Sequence, residues 1–305
     1  MRIRRPFLAV LLTGVLGVSA AGCSLPGGDD GGGEDGTGLE RALDAIPASA
    51  SDQAVTYRDV RTLRRLVAAE PSLYRGLDGY GIVEVIQRGY TGGSVRKNWG
   101  FDEKDVRTSV LVGDSTLLTG RFDTDAVARA MKKQGYKATD TDGGTRYKKP
   151  GEPGTYDISD ATRATNRADA TLGLTAPGTS LRDDKAYAAV AECLGDVYEA
   201  SYYAEREDAD VPLLAIGGRL GKDGTSSSET LCARTASKKA AAATAAALRK
   251  KTAPGARYEG SKVHIGDGDT PLVTMTWKNR PDSGLRPGDN DKTAELPGLL
   301  ILGRG

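Results

Sequence analysis

One histidine, three cysteines, three phenylalanines and two tryptophans are all that 305 residues hold of the types from which metal centres, catalytic dyads and large aromatic cores are commonly built. A lone histidine cannot furnish a His-rich metal site, and it leaves any nucleophile-His-acid arrangement dependent on His264. Charge of one sign is missing too. The 42 Lys and Arg nearly cancel the 41 Asp and Glu, so the net charge of +1 offers no long-range attraction to nucleic acid, which is excluded as an expected partner. The apolar run from Phe7 to Val18, about twelve residues, is too short to span ~30 Å of hydrocarbon. The length suits two domains of ordinary size.

What is present is clearest at the amino terminus. Arg2, Arg4 and Arg5 precede that apolar run, the order of a secretory signal, and the small residues Ser19 to Gly22 lead to Cys23. This ending resembles the bacterial lipobox, in which signal peptidase II cuts before a cysteine that carries diacylglycerol. Gly22 and Cys23 fit the pattern; Ala20 stands where Leu or Val is usual. The competing readings are an ordinary cleaved signal and a short uncleaved anchor. The resemblance implies a signal peptide over 1–22, lipidation of Cys23 and anchoring to the extracytoplasmic face of the cell membrane, since two or three acyl chains hold where one binds reversibly. Residues 23–38 then form a Gly- and Asp-rich tether, too polar to offset ordering entropy, and about fifteen such residues reach roughly 20 Å. Its acidic residues are assigned no site.

With Cys23 acylated, Cys193 and Cys232 remain, and an even pair in an oxidising compartment predicts a disulfide between them. Closing a loop of ~40 residues stabilises by at most about 4 kcal/mol in the chain-entropy model. Cys193 falls in an apparent helix and Cys232 in a loop ahead of another.

The body predicts an α+β fold: two antiparallel-sheet-plus-helix halves over 39–157 and 158–305. Leu39 to Pro47 reads as a short helix, Val55 to Val60 as a strand, and Thr62 to Glu70 as a helix stopped by Pro71. Ser109 to Asp123 reads as a hairpin around Gly113-Asp114-Ser115, followed by a helix with Thr124 as its cap and Gly135 just past its end, then a second hairpin at Asp142-Gly143-Gly144. Strand, Ala-rich helix from Ser237 and a last hairpin repeat that order in the carboxy-terminal half. The echo is one of order and not of residues, so tandem duplication does not follow from it.

Catalytic motifs are sparse. His264 lies on an apparent strand edge with Asp267 and Asp269 nearby, but no Gly-x-Ser-x-Gly elbow accompanies it. Asp140 and Asp142, like Asp267 and Asp269, suit hairpin tips better than calcium loops, which need a closing Glu. Glu84 and Asp102 could pair as glycosidase carboxylates only by count. Gly217 and Gly218 lack the helix start of a phosphate loop. No cofactor is expected. Tyrosine stands out at twelve residues. Tyr74, Tyr80 and Tyr90 punctuate the Gly-rich stretch before Trp99, and Trp99, Tyr198, Tyr202 and Tyr203 are the speculative ligand-binding set, because aromatic rings with a polar handle suit binding surfaces; half-buried packing is the competing reading.

The lipobox, the tether and the runs AIPASASDQAVTYRDV, WGFDEKDV, LTGRFDTDAVARAMKKQGY and LRDDKAYAAVAECLGDVYEA are together similar to a family of lipoproteins of unassigned role in high-GC Gram-positive (actinobacterial) bacteria. The resemblance implies location and brings no catalytic residues. Three functions follow as expectations: a non-catalytic binder of an envelope protein, glycan or lipid; an envelope hydrolase using carboxylates with His264; or a structural assembly subunit.

Overall fold

The computed structural model describes residues 36–77, 95–152, 154–159, 163–167, 172, 178–282, 284–289 and 295–298. Cys23, the signal segment, most of the tether, Glu84, Tyr80 and Tyr90 lie outside them.

Local chemistry sets the helix ends. Helix α1 (Gly38–Asp44) starts from a capping box in which the Thr37 hydroxyl accepts from Glu40 N and the Glu40 carboxylate accepts from Thr37 N. Helix α2 (Val60–Ala69) is capped by Asp59, and Pro71 opens the next short helix, α3 (Pro71–Tyr74), where its missing N–H costs nothing. After α4 (Val95–Trp99) comes α5 (Thr124–Lys133), which is capped by Asp123 and not by Thr124: the carboxylate reaches Ala126 N at 2.9 Å. Its other end is a Schellman motif, Tyr136 N to Met131 O and Gly135 N to Lys132 O, with Gly135 at φ +86°. Asp184 caps α6 (Lys185–Leu194), and Ser237 caps the Ala-rich α7 (Lys238–Lys251) as its sequence predicts.

Among the described residues, twelve strands form one antiparallel sheet. In chain order they are β1 (Val55–Asp59), β2 (Val106–Val112), β3 (Ser115–Gly120), β4 (Lys137–Thr141), β5 (Gly144–Lys148), β6 (Thr155–Ser159), β7 (Arg163–Arg167), β8 (Glu199–Ala204), β9 (Leu213–Leu220), β10 (Ser227–Arg234), β11 (Lys262–Ile265) and β12 (Leu272–Lys278). In space they run β11-β12-β10-β9-β8-β1-β2-β3-β7-β6-β5-β4. The three expected hairpins, β2–β3, β4–β5 and β11–β12, are all present.

The expected division at 157/158 is not a boundary in this sheet. It falls inside β6, whose residues 155 to 159 all pair with β7. The two halves instead share a ladder at the centre, where β1 pairs with β8 from Val55↔Tyr202 to Arg58↔Glu199, and the described residues from Gly36 onward belong to one unit. Hydrogen bonds across that seam leave no exposed strand edges for a linker to separate. The order of elements still echoes on either side: a three-strand meander (β1-β2-β3 or β8-β9-β10), a helix (α5 or α7), then a hairpin docked back toward the third strand. The first side adds a further hairpin and the α2–α3 insert.

Successive side chains along each strand serve opposite faces. On one face α1 and α6 cover Tyr57, Val110, Leu117, Ala200, Tyr202 and Ala215. On the other, three clusters lie side by side: α4 and α5 over Leu118, Ile158 and Ala164; α2 and α3 around Tyr198; and α7 over Leu214, Leu231 and Met275. The disulfide joins Cys193 on α6 to Cys232, with Cα atoms 6.3 Å apart. Cys232 is fully buried in mid-strand on β10, opposite Ala215 and Thr274, and not in a loop. The bridge therefore clamps a helix onto the sheet.

Candidate functional site

The aromatic residues of the first half gather where α4 and α5 cross the β3-β7-β6 wing. The turn Trp99-Gly100-Phe101 sets their position. Gly100 has φ +80°, and a Cβ there would stand 2.4 Å from Val127 N on α5, so only glycine lets this turn press against the helix backbone. Beyond it, the Asp102 carboxylate receives Arg96 Nε at 2.9 Å and Lys104 N at 2.9 Å, while Asp105 receives Arg96 Nη2 at 2.8 Å. Arg96 holds the Asp102 carboxyl below the usual carboxylate range, so this group is an ion-paired cap and not a proton donor.

Trp99 packs edge-on against Tyr156, centroids 4.7 Å apart, and Tyr156 against Tyr136 at 5.4 Å. Phe101 meets Phe122 at 5.1 Å. The three rings Trp99, Tyr156 and Tyr136 thus run from a position 1% exposed to two half-buried ones. At the outer end the Tyr136 hydroxyl donates to Glu152 Oε2 at 3.1 Å, Lys149 pairs with Glu152 at 2.6 Å, and the Lys149 ammonium lies 5.8 Å from the Tyr136 ring centre. Burial, Tyr156 and Glu152 hold the Tyr136 phenol above the usual tyrosine range.

Beside Trp99 lies an apolar pocket of about 10 Å³, lined by Trp99, Phe101, Leu118, Met131, Tyr156, Ile158, Ala164 and Thr165. Leu118, Ala164 and Ile158 are register partners across β3, β7 and β6, which places them in one row beneath Met131 of α5. The Thr165 side chain belongs with Leu117 and Asp157 on the opposite face by register, so Thr165 contributes main chain. Trp99 Nε1 is enclosed and among the described residues has no hydrogen-bond partner. A buried donor left unpaired costs about 1–3 kcal/mol, and on the opposite face of the same wing the Thr165 hydroxyl is likewise buried without a partner among the described residues.

The other aromatic residues singled out by sequence do not join this pocket. Tyr198 is buried over Gly218, where a Cβ would come within 2.6 Å of its ring, and its hydroxyl shares a hydrogen with Ser227 Oγ at 2.8 Å. Tyr74 meets it edge-on at 6.2 Å and donates to Thr225 O. Tyr202 is buried on the opposite face and stacks on Tyr187 at 5.4 Å. Its neighbour Tyr203 is half-buried against the α7 cluster. The four residues of the speculative ligand-binding set, Trp99, Tyr198, Tyr202 and Tyr203, thus lie in or against four separate core clusters, strand alternation sending the adjacent Tyr202 and Tyr203 to opposite sides.

Gly217 and Gly218 sit in mid-strand on β9, and both make room for ring or aliphatic side chains rather than phosphate. Gly218 also interrupts a polar row on one face of the sheet, Arg58↔Glu199↔Gly218↔Glu229↔Trp277. Glu229 is 2% exposed and accepts from Trp277 Nε1 at 3.0 Å and Gly288 N at 3.4 Å. With its amide oriented to suit its neighbours, Asn279 donates to the same carboxylate at 2.9 Å. These bonds tie Glu229 to Trp277, Asn279 and Gly288. His264 is exposed on the edge strand β11, and among the described residues it has no hydrogen-bond or ion-pair partner; Asp269 instead faces Lys238 at 3.5 Å. Among the described residues no group of three His, Cys, Asp or Glu could hold a metal, and no helix is long and apolar enough to cross a membrane.

No family model matches the chain, and no curated protein is significantly similar to it in sequence. Among solved structures, crystal form I of TP0453 is similar at a TM-score of 0.44 and 10% identity, covering 85% of this chain and 97% of that one. Crystal forms III and IV of TP0453 give 0.41 and 0.40 at 10% and 11% identity, over 80% and 79% of this chain and 96% of theirs. No functional conclusion follows from a likeness of this size.

Phe101, Met131, Tyr156 and Ile158 went unmarked by sequence reasoning. The one signal that pointed toward them was Trp-Gly-Phe at 99 to 101, where a glycine between two large rings marks a close backbone approach.

Proposed function

We propose that this protein is a lipid-anchored, non-catalytic binding protein of the cell envelope, held to the extracytoplasmic face of the membrane by acyl chains on Cys23. Its ligand docks at the Trp99 pocket. The single observation behind the docking site is that Trp99, whose buried Nε1 has no hydrogen-bond partner among the described residues, lines a small apolar pocket together with the half-buried Tyr156. The lipobox at Cys23 and the polar tether support the anchor, and the disulfide agrees with an oxidising compartment. Binding is favoured over hydrolysis because the acids near the pocket are committed: Asp102 and Asp105 to Arg96, Glu152 to Lys149 and Tyr136.

Metabolic labelling with a palmitate analogue tests the anchor. The wild-type chain incorporates label and sediments with membranes, whereas Cys23→Ser does neither and is released in soluble form. Equal labelling of the two would overturn the anchor and leave the pocket to be tested on its own.

A further inference from the structure

We infer that the outer face of α7 is a second contact with the membrane, lying flat on a leaflet rich in anionic phospholipid and held there by charge, without insertion. The inference stands apart from the Trp99 pocket and adds to the acyl anchor proposed above. Charge is unevenly placed along this chain. Residues 227–280, which make β10, α7, β11 and β12, hold ten Lys and Arg against four Asp and Glu, in a chain of 42 against 41. Three of those acids are engaged: Glu229 accepts from Trp277, Glu259 accepts from Gly255 N at 2.9 Å, and Asp269 faces Lys238 at 3.5 Å.

Helix α7 concentrates the excess. Its 14 residues include five Lys and Arg and no Asp or Glu. Ala240, Ala241, Ala245 and Leu248 are buried, so packing on the sheet accounts for the inward face. The outward face is Lys239, Ala242, Ala243, Ala246, Arg249 and Lys250, all exposed. Eleven residues at about 100° each return Lys250 to the side of Lys239, roughly 16 Å further along the axis. Lys251 pairs with Glu295 at 3.2 Å, whereas among the described residues Lys239, Arg249 and Lys250 have no ion-pair partner. Folding does not ask for this pattern. Arg249 and Lys250 suit the end of the helix dipole where they lie, but Lys238 and Lys239 stand at the end that disfavours positive charge, and no acid is spaced along the helix to pair with any of them.

The shape of the face names the partner. Methyl groups between two cationic ends make a smooth plate roughly 20 Å long. Such a plate has little with which to read a defined polymer, whereas a fluid layer of phosphate headgroups needs only close approach and opposite charge. The outward side chains between the cations are alanines, and Leu248 is buried, so the helix rests on the headgroups and does not enter the acyl region. An anchor at Cys23 with a reach of roughly 20 Å keeps the body where this contact forms within one molecule.

The test uses the full-length Cys23→Ser chain, which carries no acyl group at that position, in sedimentation with vesicles of phosphatidylcholine alone or mixed equally with phosphatidylglycerol. The mixed vesicles are expected to bind at least a hundredfold more tightly at low salt, and the difference should vanish at about 0.5 M salt, where charges are screened beyond a few ångströms. Each Lys or Arg close to an anionic leaflet is worth about fivefold in partitioning, so the triple variant Lys239→Gln, Arg249→Gln and Lys250→Gln should weaken that binding about a hundredfold. A second triple variant, Lys132→Gln, Lys133→Gln and Lys137→Gln, removes three exposed cations from the other wing and should leave binding almost unchanged. Circular dichroism melts that match the parent's check the folding of both. Equal binding to the two vesicle types, or equal losses in the two triple variants, overturns the assignment to α7. Long-chain polyphosphate bound as tightly as the mixed vesicles, with the same sensitivity at α7, makes the partner a soluble polyanion and overturns the lipid surface. Palmitate labelling of Cys23 is read separately, so failure of this contact and failure of the anchor are distinguishable.

Discussion

At the scale of single residues, the site depends on positions that carry no chemistry of their own. Gly100 is the sharpest case, since φ +80° and the contact with Val127 N each exclude a side chain. Gly100→Ala should therefore destabilise the fold by about 2 kcal/mol or more and displace Trp99, read as a lower urea midpoint together with a red-shifted tryptophan emission. Unchanged stability would mean that the turn is not pinned against α5. The contrast with the tyrosines is instructive. Twelve of them in a chain with three phenylalanines drew attention as a binding set, yet Tyr198 and Tyr202 fill core positions with their hydroxyls enclosed. Burial raises both phenols well above the usual tyrosine range, as expected of rings used where other proteins place phenylalanine. Sequence marks a residue as aromatic; which side of a sheet it serves depends on register, and register was not legible.

Elements were more legible than sites. The hairpins announced themselves through Gly and Asp at their turns, and α5 and α7 through caps and apolar spacing, because those signals are local. The Asp123 cap was misplaced by one residue, since Asp and Thr at neighbouring positions can serve equally. The partner of β1 was invisible, because its ladder with β8 joins residues some 140 positions apart and no local pattern distinguishes an edge strand from an inner one. The pairing of Cys193 with Cys232 was foreseen by counting, but its consequence belongs to the elements: it fixes α6 against β10, and Arg219 reinforces the same joint by donating to the carbonyls of Cys193 and Leu194. Replacing both cysteines with alanine should lower unfolding stability by about 2–4 kcal/mol in a chemical denaturation experiment. A denaturation curve indistinguishable from wild type would show that the α6 joint holds without the covalent link.

At the scale of the whole described fold, one sheet has a covered centre and two dissimilar wings. The β10-β12-β11 wing is closed by Ala-rich α7, whose small side chains let the helix lie close and leave its core satisfied, Trp277 donating to Glu229. The β3-β7-β6 wing is closed by α4 and α5, and its tryptophan has no acceptor among the described residues. That asymmetry between two wings of matching order is the reason for placing the ligand on one of them. It also provides a direct measurement, because the chain has only two indole N–H groups and they report on the two wings separately. In a proton–nitrogen correlation spectrum of the full-length protein, titration with soluble wall-glycan fragments should move the Trp99 indole resonance downfield as it gains an acceptor, with Trp277 unmoved. A Trp99 resonance that stays fixed at saturating fragment and throughout a companion titration with neutral lipid would contradict a ligand site at this pocket.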